Sequence, residues 1–300
     1  MKTLENDVLK VQFNQGRALK IVSFLDKRHN KEWVWKPENM EHDSDEDLDL
    51  KSSFDSRWSG GWEEIFPNDA PCNFDEFTLV DHGEVWRKRW HIHKSDSYYL
   101  EASFECETMP FTLRKRIGLD PNNPLINITY NIKNNSTRSL PYLFKFHPAL
   151  QIEKGDRFIL PPSKMKPVAL PFSRLLGHSE ETKFPTGLDP QGRPVRIDVV
   201  QDNDGYSREF VKISDLDSGE CALFNPRTQT ELRFNFSLED LPYVWLFQSY
   251  GGFMDHYVAM LEPTNAFHYD LAHLLENNQS MMIEPHQEKS FSLSISIREL

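Results

Sequence analysis

This chain of 300 residues carries 46 acidic and 34 basic side chains, for a net charge of −12. That balance offers no basic footprint for a nucleic-acid backbone, and no run of about 18 apolar residues marks a membrane span. Three scattered cysteines, Cys72, Cys106 and Cys221, contain no CxxC pair and point to neither a disulfide framework nor a zinc site. With no apolar segment in the first residues to read as a signal peptide, the expectation is a cytoplasmic protein, monomer or homodimer, acting on a small neutral or weakly charged ligand.

In chain order, residues 8–35 read as strands with turns, a β-meander opening with a turn at Gln15-Gly16. The acidic run 41–49 invites comparison with a calcium loop through Asp43, Asp45 and Asp47. It lacks the required Gly and Glu, Leu48 and Phe54 standing in their places, and reads as a solvated loop. Next, Trp58-Ser59-Gly60-Gly61-Trp62 is either one wall of a pocket or a loop packed over the core. His82 stands in a turn before the strand Val85–His93, where His91 and His93 share a face without a third ligand and read as surface residues. Alternation of Leu100, Ala102, Phe104 and Cys106, and then of Ile126, Ile128, Tyr130 and Ile132, with polar residues predicts half-buried antiparallel strands. Tyr142–Ile152 is a further strand with His147 near its middle and Pro148 directly after it. Residues 153–209 read as long loops with short strands. Strands resume at Phe210–Ile213, Cys221–Phe224, Leu232–Phe236, Tyr243–Gln248 and Tyr257–Glu262, with a short helix expected within 264–277 and a terminal strand from Phe291. No linker composition interrupts this pattern, so one all-β domain over residues 1–300 is expected.

Proline has no N–H for a sheet ladder, so the strand carrying His147 is expected to break, bulge or reach an edge at Pro148, and Pro263 to halt its strand where Glu262 is presented. The plain alternative is a histidine satisfied by a neighbouring carbonyl. His82, His147 and Glu262 form no recognisable nucleophile, phosphate or dinucleotide motif. They offer acid–base chemistry instead, since carboxylate and imidazole supply a base and an acid near neutral pH. Opening a sugar hemiacetal needs that pair. The aromatic content of 12% suits a sugar's apolar C–H faces as well as a β core.

Phe146-His147-Pro148, Asp81-His82-Gly83 and Leu261-Glu262-Pro263-Thr264-Asn265-Ala266 resemble, in order, the two histidine motifs and the glutamate motif of the aldose 1-epimerase (galactose mutarotase) superfamily. Leu113-Arg114-Lys115-Arg116 and Pro285-His286-Gln287-Glu288-Lys289-Ser290 extend the likeness along nearly the whole chain. The resemblance implies a galactose mutarotase-like antiparallel β-supersandwich with few short helices and a sugar cleft. It implies Glu262 as base at the C1 hydroxyl, His147 as acid at the ring oxygen and His82 as a substrate-positioning donor, with no metal or organic cofactor. Arg57, Trp58 and Trp62 are the further substrate-binding candidates. Where the hexose-6-phosphate branch carries an arginine this chain has Trp86, with Arg87 and Arg89 displaced, and Lys212 or Asp215 lies near the place of a sugar-binding aspartate. Two rivals remain: a carbohydrate-binding protein on the same fold, and a lyase or hydrolase in which Glu63 or Glu64 pairs with Glu262.

Overall fold

The computed structural model describes residues 1–37, 47–168 and 170–300. The alternating stretches become strands that bury every second residue: Tyr99–Glu105, Phe111–Leu119, Leu125–Asn134 and much of Glu288–Glu299. With His91–Ser95, Thr230–Phe236, Glu220–Asn225 and Arg157–Ile159 they make an eight-stranded antiparallel sheet. A second sheet has eleven strands among the described residues. Its centre runs Ile21–Asp26, Trp62–Ile65, Lys145–Leu150, Tyr257–Thr264, Tyr243–Tyr250 and Ser207–Ser214. Each sheet draws strands from widely separated parts of the chain. No helix among the described residues is long and apolar enough to cross a membrane.

The two sheets share one apolar core. Trp62 and Phe146 of the second sheet meet Phe234 of the first at ring distances of 5.8 and 5.9 Å, and Phe144 meets Tyr130 at 4.7 Å. Register then decides which residues face away from that core. Trp62 pairs with Pro148 and Glu64 with Phe146, whereas Glu63 pairs with His147. Side chains alternate faces along a strand, so Glu63, Lys145 and His147 share the opposite face.

Glu64 is therefore a core carboxylate. It accepts from Lys115 at 2.9 and 3.0 Å and from the Tyr130 hydroxyl at 2.8 Å, and all three side chains are buried. It cannot pair with Glu262 across a glycosidic bond. Breaking one side of a buried ion pair leaves an uncompensated charge, so Glu64→Gln should lower unfolding free energy by about 3 kcal/mol in denaturant titration. A loss below about 1 kcal/mol would show that Lys115 finds another partner.

The prolines do not halt their strands. Lys145–Leu150 and Tyr257–Thr264 run through Pro148 and Pro263 and lie inside the sheet. The two strands pair at Lys145–Thr264 and Ala149–Met260 and skip the residues between. Both prolines thus fall in one unladdered stretch, where their missing N–H groups cost no additional bond. The expected helix forms at Leu271–Glu276, its first turn capped by Asp270, which accepts from the backbone N–H groups of Ala272 and His273. A second helix, Phe54–Arg57, is too short to leave a periodic signal. Of the acidic run, Asp43 and Asp45 lie outside the described residues, while Asp47 and Asp49 accept backbone N–H groups of Arg89 and Lys51.

Candidate active site

A cleft of about 380 Å³ opens on the face of the second sheet that turns away from the core, a size suited to a small molecule. Its floor comes from neighbouring strands: Lys145 and His147, then Met260 and Glu262, then Trp245 and Phe247, then Arg208 and Phe210. Pairs on either side bring His147 opposite Glu262, and Glu262 pairs in turn with Trp245. One level across the sheet therefore carries Glu63, His147, Glu262, Trp245 and Lys212. Loops add Asp69, Asp81, His82, Phe253 and Tyr269 as walls.

His82 is presented by a turn with its own φ at +56° and that of Gly83 at +63°. A Cβ at Gly83 would sit 2.1 Å from the Phe66 carbonyl oxygen, so only glycine fits there. Arg87, buried, fixes this turn by donating to the carbonyls of Gly83 and Asp81 at 2.8 and 2.6 Å, and so does not face a substrate. The His82 imidazole stacks on Phe54 at 3.9 Å, and the same ring meets His147 edge-on at 5.5 Å. The short helix thereby places one aromatic plate between the two histidines.

Charges alternate along the cleft. Asp81 lies 2.9 Å from His82 Nδ1, and His82 Nε2 lies 3.5 Å from Asp69. Lys145 Nζ lies 2.5 Å from Asp69, 3.1 Å from Glu262 and 3.6 Å from the centre of the Trp245 ring. Burial pushes Glu262 above its ordinary value, Lys145 countering only part of the shift. Burial would also raise Asp69, yet Lys145 and His82 hold it below the usual range. For His82 burial disfavours the cation, but Asp69 and Asp81 outweigh it and its pKa is raised. His147 goes the other way: burial, then the cations Lys145 and His82, push it well below the ordinary imidazole value. It is neutral at neutral pH, with Nδ1 buried and making no hydrogen bond among the described residues and Glu63 4.0 Å away. A standing imidazolium at His147 is not what these surroundings favour.

Of the residues expected at the site, Glu262, His147 and His82 converge on the cleft. Trp58 is buried behind it, stacked on Trp35 at 5.3 Å and 6.1 Å from His147. Trp62 faces the core, its Nε1 donating to the Ala149 carbonyl at 2.9 Å, because it pairs one residue out of step with His147. Arg57 is exposed at the end of its helix and does not line the cleft, where the arginine is Arg208. Asp69 and Lys145 went unnoticed in the sequence. Lys145 had a signal, standing two residues before His147 and hence on its face.

The family described as Domain of unknown function (DUF4432) matches residues 98–297. The chain belongs to that family. No curated protein matches the DUF4432 chain by sequence. Among solved structures it is similar to the Slr1438 protein from Synechocystis sp. PCC 6803, at 16% identity and a TM-score of 0.71 over 99% of this chain and 95% of that one. A galactose mutarotase-like protein from Lactobacillus casei ATCC 334 is similar at 14% identity and 0.69, covering 99% and 100%. Another galactose mutarotase-like protein, from Clostridium acetobutylicum, is similar at 15% and 0.70, covering 99% and 95%. The fold of the DUF4432 chain is thus the galactose mutarotase-like antiparallel β-sandwich.

Proposed function

We propose that this chain is an aldose 1-epimerase-like enzyme that interconverts the α and β anomers of a hexose or related sugar. The observation that carries the reading is the run of alternating charges from Asp81 through His82, Asp69 and Lys145 to Glu262 on the cleft wall and floor. It sets carboxylates beside an imidazole whose protonated form Asp69 and Asp81 favour. Glu262 removes the C1 hydroxyl proton as the bond from C1 to the ring oxygen breaks and the C1 carbonyl forms. The ring oxygen takes a proton as it leaves. Rotation about the C1–C2 bond and reversal of both transfers give the other anomer.

Of the two histidines, His82 is the one whose protonated form the surroundings favour, and its looser 3.5 Å contact at Nε2 leaves that nitrogen able to turn its proton to a substrate. His147, neutral, is assigned a hydrogen-bonding role at the ring. The pH profile of turnover separates these roles. Glu262 must be ionised, so the acidic limb should lie above the ordinary 4.5, because its pKa is raised. His82 must be protonated, so activity should fall with rising pH only above 6.5, because its pKa is raised too. If His147 were the acid, its lowered pKa would place that basic limb below 6.5. Exchange spectroscopy of anomers across a sugar panel tests the activity itself. Exchange at the buffer rate for every sugar would end the proposal.

A further inference from the structure

One buried acid beside the cleft has no task in the acid–base chemistry above. Glu63 pairs directly with His147 across neighbouring antiparallel strands, and both side chains stand on the face of the sheet that turns away from the core. Residues directly opposite in this way hold their Cβ atoms about 5 Å apart. Glu63 Oε1 lies 4.0 Å from His147 Nδ1, and both side chains are buried. The ring neighbours of His147 are Phe54 at 5.5 Å and Trp58 at 6.1 Å, both edge-on, and neither gives Nδ1 an acceptor. Nδ1 itself makes no hydrogen bond among the described residues.

A neutral imidazole carries one N–H and one lone pair, and the partner of one nitrogen decides what the other offers. Burial, then the cations Lys145 and His82, keep His147 neutral, so the question is which nitrogen holds its single proton. A carboxylate has only lone pairs to offer. Beside Glu63 Oε1 a lone pair on Nδ1 is repelled and an N–H is attracted, with no water between to screen either. The gap of 4.0 Å is about 1 Å longer than a hydrogen bond, and contacts of catalytic groups commonly tighten once substrate closes a site. With Nδ1 buried against Glu63, Nε2 is the nitrogen left for the cleft that His147 lines.

We propose that Glu63 is a positioning residue that holds the proton of His147 on Nδ1, so that Nε2 presents a lone pair to the cleft and accepts a hydrogen bond from a sugar hydroxyl. This deepens the anomer-exchange reading and rests on it for the nature of the ligand, while the tautomer stands on the contact with Glu63 alone. The two histidines then divide the work. His82, whose protonated form Asp69 and Asp81 favour, donates, and His147 accepts. A hydroxyl offered to Nε2 is thereby oriented without competition for the proton that His82 supplies.

Long-range proton–nitrogen NMR correlations of protein with isotopically labelled histidines read the tautomer directly, the His147 signals being assigned by their loss in His147→Asn. The parent should show Nδ1–H at neutral pH. Glu63→Leu should let both tautomers coexist and lower kcat/KM for anomer exchange by about 10- to 100-fold, the range typical when an outer partner that orients a histidine is removed. Glu63→Gln, whose carbonyl oxygen can still accept from Nδ1–H, should restore the single tautomer and most of the lost turnover. A purely structural Glu63 would lower the melting temperature of Glu63→Leu and leave the tautomer where it was, and that result overturns the proposal. So does Nε2–H, or an imidazolium, in the parent spectrum, which depends on no variant folding. The spectra are recorded without sugar. If they behave as expected and no sugar is exchanged, the role of Glu63 stands and the epimerase reading falls; if sugars are exchanged and Glu63→Leu leaves the tautomer unchanged, the reverse holds.

Discussion

Glu262→Gln is expected to slow anomer exchange by about 10²- to 10⁴-fold, the usual contribution of a positioned general base. The amide keeps the shape of the side chain but cannot take the C1 hydroxyl proton. Stability should change in the other direction or scarcely at all. A carboxyl whose folded pKa is raised loses stability as pH rises from its ordinary 4.5 toward that higher value, with the full penalty present above it, and Gln removes this penalty. Lys145 loses one partner and keeps Asp69 at 2.5 Å. Single-turnover exchange measured by NMR, with a melting curve on the same sample, separates the two effects. Turnover within a few-fold of the parent would remove Glu262 from the mechanism, whereas a collapse of the melting temperature would mean its role is structural.

Lys145→Met should have the largest effect on stability, about 5 kcal/mol by denaturant titration. Lys145 is the common cation for two buried carboxylates, Asp69 and Glu262, and both lose it together. The contribution applies over the whole neutral range. The folded pKa of Lys145 is raised, because Asp69 and Glu262 outweigh the burial that would lower it. Its stabilisation is therefore complete below the ordinary 10.5 and fades only as pH rises through the higher folded value. In the folded fraction Glu262 would go further up, moving the acidic limb of the activity profile to higher pH. A variant less than about 1 kcal/mol weaker, with that limb unmoved, would show that Lys145 does not tie the two acids together.

Local patterning made much of the fold legible. A period of two over residues such as Leu100–Cys106 and Ile126–Ile132 has one physical meaning, a strand with one face on a core, and both strands form, each antiparallel to Phe111–Leu119 between them. His82, His147 and Glu262 were visible too, because a titratable side chain inside or directly beside an apolar strand is costly unless it has a task. Where a proline would interrupt the ladder was visible, but not its consequence. Whether Pro148 ends a strand or shares a gap with Pro263 depends on a neighbour more than a hundred residues away.

Face and charge were decided by tertiary structure. Trp62 and Trp58 look equivalent around Gly60-Gly61, yet a strand register that pairs Trp62 with Pro148 sends it into the core, and the stack on Trp35 holds Trp58 behind the cleft. Glu63 and Glu64 are likewise adjacent and part to opposite faces, one toward His147 and one toward Lys115. The protonation of the two histidines is a sum over groups distant in sequence: Asp69 and Asp81 beside His82, Lys145 and deep burial around His147. Chain order alone set which residues could do acid–base chemistry. Register and long-range electrostatics set which of them face the cleft, and in which charge state, because both depend on contacts between segments that local sequence patterning does not encode.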